Sequence, residues 1–186
     1  MEFIRDIEFY NTPEGDVMMK RLGEPIKVLD QGDRDFISAM LTILSDHYSA
    51  SLHRLEDVYS KSATNKIFFE FQIVRRFIKC NFGEYDQYKM DVDRSGKFNF
   101  EEVRCPLRGE CRDECVVCKP KLDTRITERE MDVFRRIVEG KEAFTIADEL
   151  FISPATVNRH RENIKAKIKV NTIGQMVKYW KENDLK

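Results

Sequence analysis

Residues 152–164 read ISPATVNRHRENI, and this stretch predicts a capped helix. Ser153 suits the N-cap position, and Pro154 suits the first helical position, where its missing N–H costs nothing. One set of side chains recurs at helical spacing and should face a core: Val157, Ile164 and Ile168. The opposite face carries residue types that read base edges and hold phosphates: Asn158, Arg159, Glu162 and Lys165. The sequence therefore predicts a helix that binds DNA.

The charge distribution supports this prediction. The 186-residue chain has a formal net charge of −1, which argues against a protein that coats nucleic acid along its whole surface. Residues 121–186 nevertheless hold 14 Lys and Arg against 11 Asp and Glu, and residues 153–170 hold five against one. A local basic stripe of this kind can dock on phosphates even when the whole protein is nearly neutral.

Several other classes of protein lack support. No run of about 18 apolar residues predicts a membrane span, and the first residues do not have the order of a signal peptide, so we expect a cytoplasmic protein without a membrane partner. No Gly-rich phosphate loop or pair of catalytic carboxylates is evident. His47, His53 and His160 show no metal-ligand spacing, so we do not expect an enzyme.

The overall pattern predicts a mainly α fold with a small β portion. We expect an N-terminal α+β domain with a Cys-rich hairpin over residues 1–120 and a four-helix domain over residues 121–186. Residues 7–10 and 17–19 read as short strands that flank a turn. From Asp33 to Tyr59 an apolar stripe predicts one helix of roughly seven turns, which packs within the chain or forms a dimer seam. Residues 65–82 read as a helix, with a strand over 66–74 as the alternative.

Residues 91–102 fit two different structures. Asp91, Asp93, Ser95, Gly96 and Glu102 match an EF-hand calcium loop, but the Cys-Pro that follows shortly cannot start an exit helix. The apolar residues instead alternate on either side of the stretch 93–96, as in a β-hairpin with Gly96 in the left-handed conformation. We favour the hairpin and keep the calcium site as the alternative.

Four cysteines lie close together in a polar segment that is rich in turns. They have the spacing C-x5-C-x3-C-x2-C: Cys105, Cys111, Cys115 and Cys118. A structural zinc ion is the natural explanation, because four thiolates close its tetrahedral shell and staple a loop that cannot bury a core. Free thiols or a redox switch at the C-x-x-C pair are the alternatives. Cys80 lies in the aromatic helix and reads as a core thiol.

Four helices are predicted after Pro120. The first begins with a capping box at Thr127 and Glu130 and ends at Gly140. A short helix over 145–150, a tight turn, and the helix over 153–168 follow, in the order of a helix-turn-helix. A last helix runs from about 172 to 183.

Residues 122–185 resemble the C-terminal DNA-binding domain of LuxR-type regulators. The matching motifs are ITERE at 126–130, Gly140, IADEL at 146–150, ISPATV at 152–157, His160, and Ile164 with Lys167 and Ile168. The resemblance implies that bases are read by Asn158, Arg159 and Glu162. It implies backbone contacts from Ser153, Thr156, His160, Arg161, Lys165 and Lys167. It also implies dimerisation through the last helix, with candidates Ile173, Met176, Val177 and Trp180, although Trp180 could equally pack within the domain.

Two features depart from the family pattern. Phe144 and Thr145 stand where members usually carry polar or basic residues, and Lys169 replaces the small residue that normally ends the recognition helix. We expect a cytoplasmic regulator of transcription that binds double-stranded DNA as a homodimer. The alternatives are a protein-interaction module that contacts RNA polymerase or another regulator, and a zinc- or thiol-dependent enzyme.

Overall fold

The computed structural model describes residues 4–85, 88–183 and 185. The chain divides into an N-terminal unit, Met1–Lys121, and a C-terminal unit, Leu122–Lys186. About half of the chain is helical, and a small antiparallel sheet lies in the N-terminal unit. No helix of the described ranges is long and apolar enough to cross a lipid bilayer.

Three short strands form the sheet, in the order β1-β2-β3. They are β1 (Ile7–Asn11), β2 (Val17–Arg21) and β3 (Lys27–Val28). Phe9 of β1 pairs with Met19 of β2, and both side chains are buried in the core. Gly15 takes φ +92° in the connecting turn, and its carbonyl accepts hydrogen bonds from the side chains of Arg75 and Lys79. These bonds hold the turn against a helix.

The long helix expected from Asp33 to Tyr59 is wrong: two helices occupy this stretch, α1 (Arg34–His47) and α2 (Ser49–Tyr59). Tyr48 interrupts them with φ −143° and ψ 47°. Its ring stacks on Phe98 at a centroid distance of 5.9 Å and meets Phe100 edge-on. The apolar stripe packs within the unit, because its members Ile37, Leu44 and Leu55 are fully buried.

Residues 66–81 form α3 (Lys66–Asn81), so the helix predicted there is confirmed and the strand alternative is wrong. Asn65 caps its N-terminus by accepting a hydrogen bond from the N–H of Phe68. The buried face of α3 carries Ile73, Val74, Phe77 and Ile78. Both α1 and α2 contact α3, which gives the N-terminal unit one shared core with the sheet.

Residues 91–100 turn back on themselves around Gly96, which takes φ +83°. Val92 pairs through single bridges with both Ile7 and Phe98, which extends the edge of the sheet at β1. The carboxylate of Asp91 accepts a hydrogen bond from the N–H of Phe9 at 2.7 Å. The carboxylate of Asp93 accepts hydrogen bonds from the N–H groups of residues 95 and 97. These contacts favour the hairpin over a calcium loop.

The cysteines of residues 105–118 lie in successive turns, and a Cys-rich hairpin is not seen there.

The C-terminal unit contains α4 (Glu128–Val138), α5 (Ala143–Leu150), α6 (Pro154–Ile168) and α7 (Ile173–Glu182). Thr127 and Glu130 form the predicted capping box, and Gly140 takes φ +83° after α4. Helix α5 begins two residues earlier than expected. The core of this unit consists of ten buried side chains: Val133, Phe134, Ile137, Ile146, Ala147, Leu150, Val157, Ile164, Ile168 and Met176.

Candidate nucleic-acid interface

Local chemistry fixes both ends of α6. The hydroxyl of Ser153 accepts a hydrogen bond from the N–H of Thr156 at 3.1 Å, and Pro154 occupies the first helical turn. At the other end, Lys169 takes φ 56° and ψ 46°, a left-handed conformation that stops the helix. Val157 and Ile164 are fully buried. Helix α6 is therefore held by its caps and by one apolar face.

A tight turn connects α5 to α6. Phe151 ends α5 in the left-handed conformation, with φ 54°, and the N–H of Ile152 donates to the carbonyl of Ala147 at 3.0 Å. The guanidinium of Arg129 donates to the carbonyl of Leu150 at 2.6 Å, which ties α4 to the same turn. A short helix, a three-residue turn and a longer helix thus form a helix-turn-helix whose turn is tied by hydrogen bonds.

The face of α6 opposite the core is exposed. Its solvent-facing residues are Ala155, Asn158, Arg159, Glu162, Asn163 and Ala166. The three residues predicted to read bases all belong to this set, which we call the α6 face. Lys165 lies beside it, and its ammonium pairs with Glu162 at 3.0 Å. The α6 face therefore offers amide, guanidinium and carboxylate groups to a partner, with part of the carboxylate charge already neutralised.

Three of the predicted backbone-contacting residues lie at the edges of this face and are half-buried. The hydroxyl of Thr156 bonds to that of Ser153 at 2.9 Å. Nδ1 of His160 and Nε of Arg161 are buried, and neither atom has a hydrogen-bond partner among the described residues. Each of the two side chains therefore keeps hydrogen-bonding capacity that the described part of the chain does not use.

Lys167 is occupied by an internal ion pair. Its ammonium lies 2.5 Å from Oε2 of Glu130, whose side chain is 5% exposed. Burial alone would raise the pKa of Glu130, but the hydrogen bonds from Lys167 and Thr127 lower it below its ordinary value. This pair joins α4 to α6. Nothing in the sequence pattern indicated it, because the two residues are 37 positions apart.

The predicted dimer residues of α7 differ in accessibility. Ile173 is 44% exposed, whereas Met176 is fully buried in the core of its own unit. Val177 and Trp180 are half-buried, and the indole of Trp180 meets the ring of Phe134 edge-on at 4.9 Å. Ile173 is thus the exposed member of the set.

Two phenylalanines of the helix-turn-helix face solvent. Phe151, in the turn, is 94% exposed, and Phe144, in the first turn of α5, is 72% exposed. Phe144 stands at a position where members of the LuxR-type family usually carry a polar or basic residue. The exposure of Phe151 depends on the direction in which the left-handed turn points its side chain, and a sequence pattern does not show that direction.

The cysteines predicted to bind zinc are all free thiols. Cys105 and Cys115 are exposed, and Cys111 and Cys118 are half-buried. Among the described residues, one group of three possible ligand atoms lies within 4.8 Å of one another, and it consists of Glu8, Asp91 and Glu101. Its carboxylates accept backbone hydrogen bonds, including those that Gly83 and Glu84 donate to Glu101.

Comparisons with known proteins agree with this geometry. Residues 124–180 match the family model of bacterial regulatory proteins of the luxR family. The chain is 37% identical over 54 residues to a transcriptional regulatory protein, MctR, of Rhizobium johnstonii. That match covers 29% of this chain and 25% of the relative, so the chain spans about a quarter of the length of the curated relative it matches. No solved structure matches the chain.

Proposed function

We propose that this chain, whose residues 124–180 form a LuxR-type domain, regulates transcription by binding double-stranded DNA. The α6 face enters the major groove. Asn158 and Arg159 donate to base edges there, and Glu162 accepts from them. Two chains bind together, so that two α6 helices meet successive major grooves.

The exposure of the α6 face is the observation that carries this proposal. Asn158 and Arg159 are exposed on a helix whose other face is buried through Val157 and Ile164. Binding DNA orders the long polar side chains of the α6 face, which costs conformational entropy. Ordering the helix backbone adds no further cost, because its caps and core already fix it. A rigid helix with free amide and guanidinium groups is what direct readout of bases requires.

The homodimer is supported by the surface of α7. Ile173 lies in the first turn of the helix and is 44% exposed. Gly174 follows it and adds no bulk to that surface. An exposed β-branched side chain beside a glycine permits close approach of a second copy of α7.

Selection of bound sites from random double-stranded DNA, with the full chain at physiological salt, tests the proposal. We expect one enriched motif, arranged as a repeat with half-sites about one helical turn apart. Arg159→Ala should lose the enrichment at one base pair. Lys178→Ala changes an exposed lysine of α7 that is outside the α6 face, and it should select the same motif as the parent. A folded sample that enriches nothing would refute specific DNA binding.

The exposed phenylalanines support a second candidate, a module that contacts RNA polymerase or another regulator. Phe144 and Phe151 give the helix-turn-helix an exposed apolar surface. Contact with DNA phosphates does not require such a surface, whereas contact with another protein does. In this case Phe151→Ser should abolish binding to purified bacterial RNA polymerase, and Arg159→Ala should leave it unchanged. Absence of salt-dependent DNA binding together with that result would favour the second candidate.

A further inference from the structure

Three polar side chains of the α6 face share one arc of the helix. Asn158, Arg159 and Glu162 are exposed, and at about 3.6 residues per turn they fall within about 100° of arc. Glu162 follows Asn158 by one helical turn, which is about 6 Å along the axis, whereas successive base pairs of DNA are about 3.4 Å apart. A helix that lies along the major groove therefore presents these side chains to about three consecutive base pairs.

The first two side chains keep their hydrogen-bonding groups for a partner. The amide of Asn158 and the guanidinium of Arg159 make no side-chain hydrogen bond or ion pair with the described residues. An amide offers one donor and one acceptor side by side, which match N7 and the N6 amino group of adenine. A guanidinium offers two parallel donors, which match O6 and N7 of guanine. Asn158 thus suits adenine, and Arg159 suits guanine.

Glu162 offers a different group, because an ionised carboxylate only accepts hydrogen bonds. Its side chain is 69% exposed, and Oε1 accepts from Lys165 at 3.0 Å. Guanine and thymine present acceptors to the major groove, and adenine places the acceptor N7 beside its amino group. Cytosine presents the N4 amino donor without such an acceptor, so cytosine is the base that suits Glu162 best.

The charges around Glu162 make this position selective. Lys165 already pairs with Glu162, and Lys167 pairs with Glu130 at 2.5 Å, so neither lysine is an uncompensated charge. Phosphates repel a carboxylate that enters the groove, and Lys165 offsets only part of that repulsion. The amino group of cytosine supplies a further donor. A base that presents an acceptor instead adds to the repulsion, so Glu162 rejects other bases as well as favouring cytosine.

We propose that each half-site bound by α6 contains adenine, guanine and cytosine within about three consecutive base pairs, contacted by Asn158, Arg159 and Glu162 respectively. This assignment rests on the proposed binding of α6 in the major groove, and it goes beyond that function by naming the bases. The position read by Glu162 gives the sharpest test, because changing one group of its side chain changes the base that it suits.

Selection from random double-stranded DNA is repeated with variants of the full chain at physiological salt. Glutamine offers a donor and an acceptor that match adenine, so Glu162→Gln should replace cytosine by adenine at one position and leave the rest of the motif unchanged. Asn158→Ala should relax the adenine position alone, and Arg159→Ala the guanine position alone, each by about 5- to 150-fold in relative affinity. Glu182→Gln, an exposed residue of α7, is the matched control and should select the parent motif.

Base analogues in the selected duplex test the contacts atom by atom. A 7-deazaguanine lacks N7, and it should weaken binding by the parent about fivefold or more but leave binding by Arg159→Ala unchanged. An N4-methylcytosine, whose methyl group blocks the amino donor, should weaken the parent and leave Glu162→Ala unchanged. These pairs of measurements separate a direct contact from an effect on DNA shape.

The outcomes distinguish this assignment from the proposed function. A motif that Glu162→Gln leaves unchanged, or in which the positions altered by the variants hold other bases, would overturn the assignment while leaving specific DNA binding in place. A folded chain that enriches no motif would refute specific DNA binding and the assignment together.

Discussion

Arg159 and Lys167 are both basic residues of α6, yet their surroundings give them different roles. Lys167 is bound to the buried carboxylate of Glu130 at 2.5 Å. Arg159 is exposed and makes no ion pair with the described residues. Arg159 can therefore be substituted without disturbing the fold, whereas Lys167 cannot. A variant of Arg159 tests the effect on DNA recognition separately from any effect on stability.

We expect Arg159→Ala to relax sequence preference by about 1–3 kcal/mol at one base pair of the selected site, because a bidentate guanidinium contact is lost there. The free energy of unfolding should change by less than about 0.5 kcal/mol, since the side chain is exposed. Titration of the selected duplex and its single-base variants measures the first quantity. An equal loss on every duplex would mean that Arg159 contacts phosphate instead.

Lys165→Ala should weaken binding to all duplexes alike and reduce the salt slope by about one unit, as loss of a phosphate contact does. The ion pair of Lys165 with Glu162 complicates the comparison, because removing the lysine also releases a carboxylate toward the DNA. The appropriate control compares the double variant Lys165→Ala, Glu162→Ala with Glu162→Ala alone, because both lack the carboxylate. Binding that matches the parent at every salt concentration would exclude a phosphate contact.

Asn81→Ala should lower the free energy of unfolding of the N-terminal unit by about 2–4 kcal/mol. The substitution leaves the carbonyl of Val117 and the N–H of Lys119 without their partner, in addition to losing the bond to Phe77. Urea unfolding of the full chain measures the change. Asn163→Ala, on the exposed α6 face, is the matched control and should differ by less than about 0.5 kcal/mol. A similar small effect at Asn81 would show that its bonds contribute little.

Helices α4 and α6 are joined through the carboxylate of Glu130. Oε2 of Glu130 accepts from the backbone and hydroxyl of Thr127 within its own capping box, and from Lys167 across the helix interface. One carboxylate thereby completes the start of α4 and fixes α6 to it. The helix that carries the candidate interface is thus positioned by an ion pair as well as by the apolar core.

This pair predicts a dependence of stability on pH. Because the folded pKa of Glu130 is lowered, its stabilising contribution is full above the unfolded pKa of about 4.3 and is lost as the pH falls through the folded value. Lys167→Met should cost about 1–3 kcal/mol at pH 7 and flatten the decline below about pH 5. Urea midpoints of the C-terminal unit between pH 7 and 3 measure both effects.

Lys178→Met serves as the control for that experiment, because Lys178 is 72% exposed and pairs with Glu182 within α7. Its unfolding curve should follow that of the parent at each pH. If Lys167→Met shows the same pH dependence as the parent, the ion pair does not hold the two helices together.

The proposed dimer depends on the exposed surface at the start of α7. Ile173→Asp places a charge on that surface, and it should convert the proposed dimer to a monomer without unfolding the C-terminal unit. Sedimentation measures the change in mass. Affinity for a single half-site should be retained, whereas affinity for the full repeat should fall by at least tenfold. A variant that remains dimeric would remove Ile173 from the interface.

The N-terminal unit has a different organisation from the C-terminal one. Its core joins three helices, the sheet, the hairpin around Gly96 and Val117 of the cysteine-rich turns. Many of its bonds connect residues far apart in sequence, including the pairs of β1 with Val92 and of Asn81 with Val117. Substitutions in the turns should therefore affect the whole unit.

The sequence by itself determined the elements whose bonds are local. The caps at Ser153 and Thr127, the helical spacing on α6 and the end of α4 at Gly140 each depend on residues within about four positions of one another. Such signals can be read directly, because the same few side chains make and satisfy the bonds. This is why the helix-turn-helix and its exposed face could be predicted.

Only the tertiary structure decided the features that join distant residues. The stripe over residues 33–59 fits one helix, and the break at Tyr48 coincides with ring contacts from Phe98 and Phe100. The bond of Lys167 to Glu130 crosses 37 positions, and Asn81 binds Val117 across 36. No local pattern encodes these contacts, because their free energy is gained only when the units have packed.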